Sequence, residues 1–401
     1  MRVCVLSLGL AFTPLLASAQ SAPDPAPSSA DAVIREYARE CAAAGRGLWK
    51  VSLCAPIVVV SPEGKVVLTS EPAPSAPLPS TRANTSVDWG GRKWVMVLSP
   101  LPANPHAVRQ LVYHESFHVH QQALGLPDNM AVAAHLESED ARYWLRMEWK
   151  ALERALQSTG DARKQHVEQA LAFRKQRLSS ADALRDERLQ MRHEGLAEYT
   201  GVALSKAPQA QALENLQHGN DRPSFSRSFA YVSGPAWGLV LDALAPDWKA
   251  MLLAKPDADL PDLVPLKPAG KLDMQAYGGD ALRIEEHARA VKRQAVLDAA
   301  TKQTSEANGL RLPLAKIQLD FDPNRVYPMP DGSSVYDKIT LTSDWGALQS
   351  DGVPVRIAQD WSAVFVPWPT PQGMTLMLSK GWSAKRDDAG RTRVVRDAPA
   401  P

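Results

Sequence analysis

Cysteine, net charge and long apolar runs are all scarce in this chain, and each shortage removes a class of explanation. Only three cysteines occur in 401 residues. Cys4 falls in an amino-terminal leader, which leaves Cys41 and Cys54 as one even pair. In an oxidising compartment that pair is expected to close a short loop as a disulfide, the alternative being two buried thiols. Neither is expected to act as a nucleophile. The formal net charge is only +1, so nothing electrostatic points to nucleic acid or to an anionic membrane. Past the leader no apolar run approaches 18 residues, so the mature chain is expected to be soluble, without a membrane span. No repeat period appears, which excludes a solenoid.

The leader is the exception to the shortage of apolar runs. Arg2 supplies a positive start, Val3 to Leu16 is apolar, and Ala17-Ser18-Ala19 offers a small-residue cleavage site before Gln20. The run is too short to span a membrane, and no lipobox cysteine follows it. Residues 1–19 are therefore read as a signal peptide, and the protein as periplasmic or secreted. What remains is long enough for two or three domains.

The densest chemical signal is His114-Glu115-Ser116-Phe117-His118. Imidazoles at i and i+4 stand one above the other on one side of a helix, where one metal ion can take a nitrogen from each. Glu115 sits beside the first, placed to take a proton from water on that metal. The flanks predict the helix this needs. Asn104 is a cap and Pro105 a first-turn residue. No Gly or Pro interrupts Ala107 to Leu124, and Gly125 followed by Pro127 forms a stop. His114, His118 and Gln121 share one side.

A catalytic zinc site needs a third protein ligand and an open fourth position. Glu194 is the leading candidate, in His193-Glu194-Gly195-Leu196-Ala197-Glu198-Tyr199-Thr200-Gly201, 76 positions after His118. Its surroundings, from about Ala183 to Leu204, read as a helix. Gly195 would let this helix come close to the metal helix. Glu198, one turn on, can hold a ligand from behind. Glu148 is the rival ligand, with Glu137, Glu139 and Asp140 nearby; all four are expected to be solvated helix carboxylates.

These two segments, HESFH and EGLAEYTG, resemble the gluzincin zinc metallopeptidases, in which a downstream glutamate in an E-G-x-A-E-Y-like segment completes the site. The resemblance implies one Zn2+ per chain held by His114, His118 and Glu194, with Glu115 as general base. It covers two short segments. The M1 aminopeptidases and the M61 glycyl aminopeptidases carry the most similar forms; the separation of 76 exceeds that of the M1 enzymes, and their G-x-M-E-N segment has no counterpart here. Zinc hydrolase chemistry on a peptide or protein substrate is therefore implied, and amino-terminal specificity is not.

The chemistry follows from the residue types. Zinc lowers the pKa of bound water toward ~7 and polarises a carbonyl. Glu115 would take the proton and pass it to the leaving amine. The oxyanion needs a further donor. Tyr231, whose place after the third ligand is similar to that of the gluzincin catalytic tyrosine, is the first candidate; a core tyrosine is the plain alternative. Tyr199 and Arg227 are weaker candidates. His120 and His193 are expected to be neighbours without a chemical role. A rival to the peptidase reading is a non-catalytic zinc-binding or degenerate peptidase scaffold acting as a periplasmic binding protein.

The expected fold class is α+β, zincin-like, with a mainly helical catalytic domain, a small N-terminal sheet and a C-terminal β-domain. Residues 20–105 form an α/β part of the catalytic unit, opening with a linker over 20–29. It holds a helix over Asp31–Ala43 and strands over Leu53–Val60, Lys65–Ser70 and Trp94–Ser99. The resemblance places the last strand at the edge of the cleft, free to pair with an extended peptide. Residues 106–305 are the helical metallopeptidase domain. Within it Glu137–Gln157 and Ala162–Leu178 form a hairpin, either a wall of the cleft or a plain insertion, and a helix lies near Ala281–Thr301. Residues 311–398 read as short strands with Gly or Pro turns, either binding substrate or supporting the catalytic domain.

Overall fold

The computed structural model describes residues 30–397, apart from 127, 128, 130, 179, 223, 256, 306, 323, 324 and 330. The expected leader 1–19, the linker 20–29 and Pro127 lie outside the described residues. The fold is α+β, with a helical region and a carboxy-terminal sheet. The chain divides into two compact units. The first runs up to His135, then takes Trp144–Asp221 and Ser226–Gly279; the second takes Leu136–Tyr143, Arg222–Phe225 and the chain from Asp280 on.

The first unit opens with helix α1 (Ala30–Trp49), longer than the thirteen residues expected. A disulfide joins Cys41 in its second half to Cys54. By restricting the unfolded chain, a loop this short contributes about 3 kcal/mol. Strands β1 (Ile57–Val60), β2 (Val66–Thr69), β3 (Thr85–Trp89) and β4 (Arg92–Leu98) follow. They form one sheet in the order β2-β1-β4-β3. β1 and β4 are parallel and central, the other pairs antiparallel. Ile57-Val58-Val59-Val60 is buried throughout, as expected of a central strand covered on both faces. The resemblance placed β4 at the edge of the cleft, free to pair with an extended peptide. It is an inner strand, hydrogen-bonded on both sides, so it has no free edge for a peptide; β2 and β3 are the edges.

Helix α2 (Pro105–Gln121) comes directly after the sheet. The expected helical hairpin is α3 (Glu139–Gln157) and α4 (Gly160–Arg177). It breaks at Ser158 and Thr159, just before Gly160, which takes φ +58°, and the Arg163 side chain closes the break by donating to the carbonyls of Ala155 and Ser158. The next expected helix, from Ala183 to Leu204, is not uniform. α5 (Ala181–Gln190) passes into one wide π-helical turn over Met191–Gly195 and then into α6 (Leu196–Ala203). Helices α7 (Pro208–Gly219), α8 (Phe229–Leu244) and α9 (Trp248–Ala254) complete this unit.

The second unit contains the long helix α10 (Gly279–Gln303) and a large sheet. Its strands are β5 (Gly309–Pro313), β6 (Gln318–Phe321), β7 (Val326–Pro328), β8 (Ser334–Ser343), β9 (Gly346–Ile357), β10 (Ala363–Pro367), β11 (Met374–Leu378), β12 (Trp382–Arg386) and β13 (Thr392–Arg396). The order is β12-β13-β5-β10-β9-β8-β6, with β7 also on β8 and β11 also on β9. β9 is long enough to serve two strands on one side, β11 along Gly346–Ser350 and β10 at Arg356–Ile357. The alternate residues Leu310, Leu312, Leu341, Leu348, Val355, Val364 and Val366 form the core with Trp345. Across the described residues, no helix is long and apolar enough to cross a membrane.

Candidate metal centre

Asn104 accepts the backbone N–H of His106 at 2.9 Å and caps α2. Pro105 fills the first turn, where its missing N–H costs nothing. At the other end the helix tightens over Gln122–Leu124 and stops at Gly125, left-handed at φ 72°. His114 and His118 therefore lie one turn apart, their Nε2 atoms 3.2 Å apart. The π turn carries Glu194 to the same point. Its Oε2 lies 3.4 Å from His114 Nε2 and 3.6 Å from His118 Nε2.

This triangle has the dimensions of a metal site. A tetrahedral ion with bonds of about 2.0–2.1 Å holds its donors about 3.3–3.4 Å apart. The three sides match to within a few tenths of an ångström. Glu194 Oε2 is buried and takes no well-directed hydrogen bond from any described residue, a costly state for a carboxylate oxygen unless a cation meets it. Two nitrogens and one carboxylate oxygen, all buried or nearly so, can hold a metal ion.

Both imidazoles are aimed from behind. His114 Nδ1 lies 2.8 Å from Glu198 Oε2, and Gln110 Nε2 donates to the other oxygen of Glu198 at 2.6 Å. His118 Nδ1 lies 3.0 Å from Gln121 Oε1, while Gln121 Nε2 reaches the Arg192 carbonyl at 3.4 Å. Each partner offers an acceptor, so each Nδ1 carries the hydrogen and each Nε2 presents its lone pair to the shared point. The role of Gln121 was not anticipated, although its place on the histidine side of α2 was a usable signal. Gly201, not Gly195, lets α6 approach α2: a Cβ on Gly201 would stand 2.6 Å from the Gln110 carbonyl oxygen.

Gly195 instead meets α8. A Cβ on Gly234 would lie 2.2 Å from the Gly195 oxygen. This contact seats the first turn of α8, with Tyr231, against the π turn. Pro235 lacks an N–H, so the Tyr231 carbonyl four residues back loses its helical donor, and Asn215 Nδ2 approaches it at 3.5 Å. The Tyr231 ring lies parallel to His114 at 5.6 Å, and its hydroxyl donates to Glu194.

Charge in the centre follows from burial and proximity. With no ion bound, burial works against charging His114 and His118, but Glu194 outweighs it for both, joined at His114 by Glu198, and holds them above the ordinary imidazole range; an ion at the shared point would displace that proton and leave each Nε2 lone pair free to ligate. Burial likewise works to raise Glu194, yet the two histidines hold it well below the carboxylate range. Glu115 is pushed up, chiefly by burial, as suits a base that must hold a proton for part of a cycle. Burial and then the charge of Glu194 push the Tyr231 hydroxyl well above the usual phenol range, so it stays protonated and remains a donor.

The other candidates fall elsewhere, with one exception. Tyr199 gives its hydroxyl to Asp242 at 2.7 Å. Arg227 is half-buried in the turn before α8. His120 Nε2 is 2.9 Å from the Cys54 carbonyl. The exception is His193: its ring centroid is 4.5 Å from that of His118, and its Nε2 is 3.6 Å from Glu194 Oε1.

Glu148 is not solvated, as it was expected to be. It is buried, accepting from Arg177 Nη1 at 2.5 Å and Trp237 Nε1 at 2.8 Å. Arg177 also binds Glu187, which Arg174 and His135 share, and Arg174 reaches Asp259 at 2.7 Å. Burial holds Asp259 up at about 7 even with Arg174 alongside. This network ties α5 to the hairpin and α8, and so supports the turn that carries Glu194. Glu137, Glu139 and Asp140 pair with Arg293, His287 and Arg283.

No family model matches this chain, and neither does any curated protein or solved structure.

Proposed function

We propose that this protein is a secreted or periplasmic zinc metallopeptidase of the gluzincin kind, with a zincin-like catalytic unit. The observation that carries the reading is the buried triangle of His114, His118 and Glu194, its edges of tetrahedral length, with Glu115 adjoining. His114, His118 and Glu194 would hold the ion. Zinc bound there supplies a Lewis acid that polarises a peptide carbonyl and acidifies water. Glu115 takes the proton from the attacking water and delivers it to the leaving amine, its burial keeping the proton affinity high enough for both steps. The Tyr231 hydroxyl is the donor to the oxyanion, a role that requires it to turn from Glu194 toward substrate. Glu198 and Gln121 keep the two imidazoles in the ligating tautomer.

The test is metal content followed by turnover. Residues 20–401, purified with no metal added, are expected to carry about one zinc per chain and to cleave members of a peptide library. Glu115→Gln is expected to keep the zinc and lose the cleavage. If the purified chain holds no zinc and takes none up, the metal reading is wrong. If Glu115→Gln cleaves at full rate, the general base lies elsewhere.

A further inference from the structure

On α10 of the second unit, a row of apolar side chains faces outward from Ala281 to Ala295. Leu282, Glu286, Leu297 and Ala300 form its buried side. Almost opposite them, Ala281, Ile284, Ala288, Val291 and Ala295 recur at alternating spacings of three and four, and all are exposed. Ile284 is 71% and Val291 56% exposed, the two largest values among the exposed apolar side chains of this helix. A 3-4 repeat is the seam of a coiled coil, and here it runs for most of a 25-residue helix. Singly exposed apolar residues need no explanation, but a contiguous row of them does.

We infer that this seam is a self-association surface, on which α10 of a second copy of the chain lies antiparallel. The argument is self-complementarity. Small and large residues alternate along the seam: Ala281, Ala288 and Ala295 take one heptad position, Ile284 and Val291 the other. In a parallel pair each position would meet itself, placing Ala on Ala and leaving voids between layers of Ile and Val. In an antiparallel pair the two positions meet each other. Ile284 then lies against Ala295 of the second copy, and Ala288 against its Val291. Every central layer holds one small and one large side chain, which lets the helices fill the interface near the close end of the usual 8–10 Å spacing.

Charge agrees with the same register. Glu285 and Lys292 stand on one flank of the seam, both exposed, and the antiparallel pairing brings Glu285 of each copy beside Lys292 of the other. Asp298, next in the seam, reaches the layer of Ala281 in the second copy, at the amino-terminal end of its helix, where the helix dipole favours an anion. The contact is isologous and closes at two copies. The other flank, with Asp280, His287, Gln294 and Thr301, is also exposed, with His287 held to Glu139 of α3 at 3.2 Å.

The experiment is sedimentation of residues 20–401 across a concentration series up to about 100 μM, a range suited to a contact this short. A monomer–dimer equilibrium is expected. Ile284→Glu and Val291→Glu should each weaken it at least tenfold without lowering the melting temperature of the dilute monomer, since both side chains are exposed in the single chain. Orientation is read by crosslinking: an equal mixture of Ile284→Cys and Ala295→Cys chains should form a mixed disulfide, and Ile284→Cys alone should not pair with itself. A monomer throughout the range overturns the inference. So does a dimer that ignores both glutamates, or one in which Ile284→Cys pairs with itself.

Discussion

Gly234 and Gly195 touch backbone to backbone. A Cβ on Gly234 would stand 2.2 Å from the Gly195 carbonyl oxygen and 2.5 Å from its Cα. This contact fixes the distance between the turn that carries Glu194 and the turn that carries Tyr231. Neither backbone can yield locally, because one is a helix interior and the other a π turn.

Gly234→Ala is therefore expected to separate α8 from the π turn. Forced overpacking of this kind costs about 1–3 kcal/mol, so the melting temperature should fall. Metal affinity should fall with it, because Glu194 moves relative to the two histidines. Gly270→Ala is the control: nothing lies within 4 Å of its Cβ. A Gly234→Ala chain with unchanged stability and metal content would show that the contact does not position the site.

Glu198→Ala removes the acceptor that holds His114 Nδ1. Loss of such a partner costs about 10–100-fold in metal affinity. Competition with a chelator should record that loss, with a smaller one for Gln121→Ala, since the carbonyl oxygen it removes is neutral. Equal and negligible losses at both positions would mean that packing alone orients the imidazoles.

Some of this was legible beforehand, and some had no trace in the sequence. The candidate metal ligands are a local matter: i, i+4 spacing on a capped helix brings His114 and His118 together, and the EGLAEYTG segment marks Glu194. The inner place of β4 was hidden because its outer partner β3, Thr85-Ser86-Val87-Asp88-Trp89, is short and half-exposed. Glu148 looked like one of many carboxylates on a charged helix. Its burial depends on Arg177, which lies on the next helix, and no periodicity reports such a partner. The seating of the π turn against α8 likewise involves Gly234, 39 positions beyond Gly195.

Tyr231→Phe removes one hydroxyl and leaves the ring stacked on His114. If the hydroxyl acts on the oxyanion, kcat against a peptide should drop by about 10²–10³ with KM and zinc content little changed. Loss of zinc with retained kcat per bound ion would assign the hydroxyl to Glu194 instead.

Glu187 links the site to pH through stability. Burial acts to raise its pKa, but Arg177, helped by His135 and Arg174, outweighs it and holds the carboxyl far below the usual range. A depressed folded-state pKa means that the unfolded chain takes up its proton first as the pH falls. The stabilisation is thus complete above the unfolded value of about 4.5 and disappears progressively below it. Glu187→Gln leaves Arg174 and Arg177 buried with one fewer counter-charge, which should cost about 3–5 kcal/mol at neutral pH. It should also flatten the acid limb of a stability–pH curve, because the titrating group is gone. Denaturant melts of both chains between pH 3 and 8 measure the two effects together. A variant that loses stability equally at every pH would place the cost in packing and not in the ion pair.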